Sequence, residues 1–381
     1  MRTAIALKSA QCARTYRSCR TVLFIACHQS GIIGLVLTRI FKHTQSINMS
    51  LHPRQTDLVV HPENPHDIMT QTPPNTWASH YRFLSQNDIQ VSEGNTDDPL
   101  PRNTTALLKP HGQPARPVAL KHLSRDLSSE AQEIHLMEYF NDISRRCERE
   151  NHCVESRLLE STAPDQRIFL VMQRLQDFDE PPFITVGEVV DFVRQVLEGL
   201  FYIHRHRVVY GFPYKEKSIG MDAAPLYKDS DMQQLNDQHL RPCTTRTRAP
   251  RKVQYYFRDL GMAYKLPDDT DAQYPWTPQD DIKCLGEIID HSLLKKYTNL
   301  AFMEDLVRGM EEPGGISTAE AAVRRFEAVI LARPEAELRS RLRKKNEFWV
   351  KGLYRNLKHY FRKRKDERYA AIPSLVPHHS Q

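Results

Sequence analysis

Apolar residues fall along the chain either at helical spacing or in short runs. In TVGEVVDFVRQVLEGLFYIHRHR (185–207), Val189, Val193, Val196, Leu197, Leu200 and Phe201 fall three or four positions apart, which makes one continuous helical face. Thr185 and Glu188 stand in the spacing of a capping box at its start. The same period predicts helices over SSEAQEIHLMEYFNDI (128–143), with Ser and Glu in its first turn, and over 280–294, 300–310 and 318–330. RPVALKHL (116–123) is a short strand-like run. VESRLLESTAPDQRIFLVMQRL (154–175) is two apolar runs split by a polar turn holding Pro164 and Asp165, a hairpin. SIGMD (218–222) and QYYFRDLG (254–261) read as short strands. The order implies an α+β protein: a small strand-rich lobe with one helix, then a larger, mainly helical lobe.

Both ends differ from this core. Residues 1–50 form a basic extension, 51–105 a Pro- and polar-rich linker, largely disordered, and 339–381 a basic amphipathic helix and tail. Within the linker only WASHYRFL (77–84) breaks the polar pattern, as a docking turn. The net charge of +6 conceals a polarised chain. Residues 1–56 hold eight Lys or Arg and no acid, and residues 339–368 hold thirteen against three acids, so the middle carries an excess of acid.

Three readings of the first fifty residues stand side by side. They are an Arg-rich, acid-poor transit segment, an anchor built on TVLFIACHQSGIIGLVLTRIF (21–41), or residues ahead of a true start at Met49. His28, Gln29, Ser30 and Arg39 weaken the anchor. The chain is therefore expected in the cytoplasm or nucleus, or in mitochondria if 1–50 is a transit segment. The seven cysteines, none in a CxxC pair, suggest reduced structural thiols rather than a disulfide framework or zinc site.

The sequence VALK early, the GEVVDF helix, IGMD, YYF-x-D-x-G and a tail EFWVKGLYRNLKHY together resemble a divergent protein-kinase-like family expanded in basidiomycete fungi. The resemblance covers roughly residues 106–365. It implies a bilobal kinase-like domain over 106–338, with an N-lobe of about 106–175 and a C-lobe of about 176–338. It also implies that Lys121 grips nucleotide phosphates, that Glu133 pairs with it, and that Asp259 binds the metal. Taken singly, a strand lysine beside an acidic helix is usually a surface pair, and an Asp-x-Gly is usually a turn. Their shared order around the 185–205 helix favours the site.

The catalytic loop departs from the family pattern. Tyr210-Gly211-Phe212 occupies the slot of His-Arg-Asp, and Phe212 cannot accept a proton. The family's metal-binding Asn falls at Lys217, or at Ser218 if one residue is inserted. No glycine-rich phosphate loop precedes Lys121 in TTALLKPHGQPARPVALK. The stretch from Asp259 to Asp281 is short for an activation segment, while Asp281 matches the aspartate that ties down the catalytic loop.

The leading expectation is a pseudokinase that works by binding, with ATP and Mg held weakly or not at all. One alternative is an active, atypical serine/threonine-type kinase using Asp222 or Glu216. Another is an interaction protein whose basic arms meet nucleic acid or an acidic membrane through 339–368. A fourth is a faulty gene model across 210–218. In the tail, Val350, Leu353, Tyr354, Leu357 and Phe361 share a face, expected to pack on the acidic helical lobe. A protein partner is expected, of unknown identity.

Overall fold

The computed structural model describes residues 77–91, 103–113, 115–161, 167–213, 215–226, 248, 253–267, 276–366 and 370. The chain divides into two units, Met1–Ile68 and Met69–Gln381, and every described residue belongs to the second. The basic extension 1–50 therefore lies outside the described residues.

Helix α1 (Trp77–Gln86) leads into a five-stranded antiparallel sheet in the order β1-β2-β3-β5-β4. Its strands are β1 (Ile89–Val91), β2 (Asn103–Leu108), β3 (Arg116–Leu123), β4 (Ser156–Glu160) and β5 (Ile168–Gln173), with α2 (Ser128–Asn141) between β3 and β4. The sheet thus begins well before position 106, inside the stretch read as linker. The reason is physical: β2 is NTTALL and buries only Ala106 and Leu108, so its outward positions carry the Asn and Thr that looked like loop. WASHYRFL is likewise a full helix, whose Leu84 packs with Ile89, Leu120, Phe169 and Val171 on one face of the sheet. β4 and β5 pair as the hairpin the sequence predicts, Ser156 opposite Met172 and Glu160 opposite Ile168.

After β6 (Gln176–Asp177), helix α3 (Val186–Arg205) runs through the centre of the larger core cluster. The Thr185 hydroxyl accepts from Glu188 N–H at 3.2 Å, and the Glu188 carboxylate accepts from the backbone of Ile184 and Thr185. The same carboxylate also accepts from Arg248 N–H at 2.9 Å. Burial raises the Glu188 pKa. Thr185→Ala is expected to lower stability by about 1 kcal/mol, the ordinary value of an N-cap hydroxyl. A urea midpoint that moves with unchanged slope would show this, and an unmoved midpoint would mean that Glu188 alone holds the helix start.

Short strands β7 (Val208–Val209), β8 (Ile219–Met221), β9 (Tyr255–Phe257) and β10 (Tyr264–Lys265) follow, with β6-β8-β9 forming one small sheet and β10-β7 another. The Gln195 side chain pins β9 to α3, accepting from Tyr255 N–H and donating to Val253 O. The helices α4 (Pro278–Ile289), α5 (Glu304–Glu311) and α6 (Ala319–Leu331) complete the core. Cys153 and Cys284 are free thiols within it, and burial pushes Cys284 up to about 12.

Residues 340–345 zip onto the body through backbone bonds from Val186 N–H to Ser340 O, Leu342 N–H to Ile184 O, Thr298 N–H to Arg343 O and Lys345 N–H to Lys296 O. Helix α7 then spans Trp349–Lys365, and none of its residues is buried. The expected packing of its apolar stripe on the helical body is therefore corrected: the stripe faces solvent. Among the described residues no helix is long and apolar enough to cross a membrane.

Candidate functional site

The alternation of β3 sets the first residue. Val118 and Leu120 enter the cluster beneath α1, which turns Lys121 and Leu123 to the other face of the sheet. Opposite them, α2 buries Glu133, Met137 and Phe140 at helical spacing. Lys121 Nζ lies 2.5 Å from Glu133 Oε1 and 3.0 Å from Asp259 Oδ1. Asp259 follows β9, and its Oδ1 also accepts from Gly261 N–H at 2.8 Å. The structure thus brings Lys121, Glu133 and Asp259 together across 138 positions of sequence. Lys121 is 4% exposed, and the Asp259 side chain, at 16%, is the more open of the two acids.

The loop after β7 is held from below. The buried carboxylate of Asp281, in the first turn of α4, accepts from Tyr210 N–H at 2.7 Å, Gly211 N–H at 2.8 Å and Trp276 Nε1–H at 2.8 Å. His204 Nε2 lies 2.9 Å from the same group. The main chain at 211–212 is left-handed, with φ +83° at Gly211 and +37° at Phe212. At Gly211 a Cβ would sit 2.9 Å from Met262 O, so glycine is required by space as well as by φ. For a phenylalanine such a φ is a strained exception.

Tyr210 and Phe212 are both core residues. Their rings meet edge to face with centroids 4.8 Å apart, and both pack on Phe257. Phe212 is only 4% exposed. The Tyr210 hydroxyl donates to Ser218 O at 3.0 Å, and burial with the nearby Asp259 charge pushes its pKa well above the usual value. Tyr210 therefore stays neutral, a donor but not a base.

The other sequence candidates fall elsewhere. Ser218 is fully buried, and its carbonyl accepts from Tyr210 and from Arg258 N–H, whereas Lys217 is exposed. Glu216 faces His291 at 3.3 Å, and Asp222 caps the turn at Ala224, so each already has its own partner. The sheet register also sets which connection ends beside Lys121. Asn103 pairs with Lys121 and Leu108 with Arg116, so the connection beside Lys121 is 92–102, not the 109–115 turn. Residues 92–102, SEGNTDDPLPR, lie outside the described residues and contain one glycine, Gly94. His204 and Trp276 are the site residues that sequence reasoning missed. A cavity of about 670 Å³ lies between β5, Asp222 and Tyr256, and none of Lys121, Glu133 or Asp259 lines it.

Chemically, one ammonium shared by two carboxylates leaves a net charge of −1. Phosphates would be repelled from such a site unless a cation accompanied them. No family model matches the sequence, and no curated protein matches it. Among solved structures the chain is similar to the Rad53 kinase domain with SCD2, at 13% identity and a TM-score of 0.39, over 63% of this chain and 88% of that chain. A likeness so distant carries no argument about chemistry.

Proposed function

We infer that this chain is a protein-kinase-like domain that does not transfer phosphate and acts by binding. The observation that carries the reading is the pairing of a retained anchor with a lost catalyst. Asp281 still clamps the loop backbone at Tyr210 and Gly211, while the position after them is filled by the buried ring of Phe212. A kinase holds phosphates, metal and nucleophile in line and needs an acid there to orient the attacking hydroxyl. A benzyl group can do none of this.

Nucleotide and magnesium fit the remaining residues only in part. Lys121 would face phosphate oxygens and Asp259 a divalent cation, the chemistry being phosphate binding and charge neutralisation. The second metal ligand has no good counterpart, because Lys217 is itself cationic and Ser218 is buried. We therefore expect weak binding at most.

The test is phosphotransfer together with thermal unfolding of the full chain, with and without ATP and Mg²⁺, beside Lys121→Met and Asp259→Asn. Expected are background transfer and a small, Mg-dependent rise in Tm that both variants lose. A ligand at ten times its Kd would stabilise the fold by roughly 1.4 kcal/mol, or about 3–5 °C. Transfer of the γ-phosphate to any protein substrate, abolished by Lys121→Met, would sink the silent reading. A large Tm rise without transfer would keep it and establish a working nucleotide pocket.

A further inference from the structure

Helix α7 has three faces, and only one is occupied by the body. On that face Gly352, Arg355 and His359 are half-buried. Arg341 and Arg355 grip Glu347 at 2.6 and 2.7 Å, Arg341 Nε donates to Asn356 Oδ1 at 2.8 Å, and His359 Nε2 lies 3.2 Å from Arg339 O. Hydrogen bonding to Arg341 holds the Glu347 carboxyl below the usual carboxylate range. The helix is thus fixed to the domain rather than trailing from it.

The second face is a broad apolar stripe. Trp349, Val350, Leu353, Tyr354, Leu357, Tyr360 and Phe361 recur three and four apart. All are exposed, Trp349 at 72%, Leu353 at 55% and Leu357 at 50%. So continuous an apolar surface on a folded domain marks a place where something binds. The third face carries Lys351, Lys358 and Lys365, seven apart and aligned along the flank of the stripe. No acid interrupts 348–365.

Charge and shape select the occupant. A second copy paired helix to helix would bring one acid-free, lysine-flanked surface against another, so like charges would meet. A nucleic acid would satisfy the lysines and leave the stripe in water. A protein groove that wraps a basic amphipathic helix needs access all round, and the Glu347 clamp closes one side. A flat surface that is apolar inside and anionic outside satisfies both free faces at once. We propose that α7 docks the domain onto an anionic lipid bilayer, lying in the interface plane. The apolar stripe would enter the headgroup boundary, with aromatic residues at both helix ends and the lysines reaching lipid phosphates.

Co-sedimentation of the full chain with vesicles tests this, using phosphatidylcholine with about 30% phosphatidylserine against phosphatidylcholine alone. Expected is partition onto the anionic vesicles, roughly tenfold weaker on the neutral ones and weakened by salt. The double substitution Leu353→Glu, Leu357→Glu should reduce partition at least tenfold while Tm stays put, since both side chains are exposed. Should that variant fold poorly, Lys351→Gln with Lys358→Gln should lower anionic-vesicle binding without altering the stripe. A blue shift of tryptophan fluorescence on binding, lost in Trp349→Phe, would place the helix itself in the interface. Absence of binding by the full chain would overturn the proposal, as would binding indifferent to the double substitution. Without vesicle binding, a Leu353-dependent dimer or salt-sensitive capture of duplex DNA would overturn it in favour of that occupant.

Discussion

Asp281→Ala should cost the domain about 3–5 kcal/mol, the range for removing one partner of a buried charged network. The carboxylate is fully buried and accepts from the backbone of Tyr210 and Gly211 and from the Trp276 indole, with His204 against it. Removing it strands those donors where water has little access, and the left-handed turn at 211–212 loses its clamp. Asp281→Asn should cost less, because one oxygen remains for Gly211 and Trp276 while the new amide hydrogens oppose Tyr210 N–H. Urea unfolding monitored by Tyr and Trp fluorescence gives the comparison. An alanine variant within about 1 kcal/mol of wild type would mean that the loop keeps its shape without the anchor.

Placing an acid at position 212 should not confer phosphate transfer. Phe212→Asp removes a ring packed on Tyr210 and Phe257, a loss of about 3–5 kcal/mol for a buried phenylalanine. It also places a carboxylate among aromatic rings, where ionisation is opposed by desolvation. One term runs the other way. Aspartate tolerates a positive φ better than phenylalanine, and relief at φ +37° returns about 1 kcal/mol. The packing loss is the larger, so the variant should unfold at clearly lower urea and show no gain in phosphate transfer. A variant as stable as wild type that also gains transfer would show a latent catalytic loop instead of a piece of the core.

What the sequence made legible was whatever local chemistry determines. The start of α3 is written in Thr185 and Glu188, because a capping box needs only four residues. Lys121, Glu133 and Asp259 could be named from their order, each lying on an element with a clear period. The edge of the sheet was not legible, because β1 has three residues and β2 turns Asn103 and Thr105 outward. Composition alone gave those stretches to a linker. Which connection ends beside Lys121 was not legible either, because register, which sets Asn103 opposite Lys121, cannot be read before the strands are known. The burial of Ser218 depends on β8 meeting β9, a contact between distant segments. The tail erred in the opposite direction. Its stripe is plain in the sequence, and the assumption that apolar residues must be covered within the same domain placed it against the body.

The Asp281 clamp also bears on the order in which the domain assembles. Its hydrogen bonds to Tyr210 and Gly211 close loops of 71 and 70 residues, and its contact with His204 one of 77. Such closures lose chain entropy before any contact repays it. We expect the loop at 210–212 to take its shape only after α4 has reached α3, which the folding and unfolding rates of Asp281→Ala would test. Interactions made that late leave the folding rate nearly alone and act on the rate of unfolding. The anchor of this loop is accordingly a brake on opening, and it governs how long the folded domain lasts more than how quickly it forms.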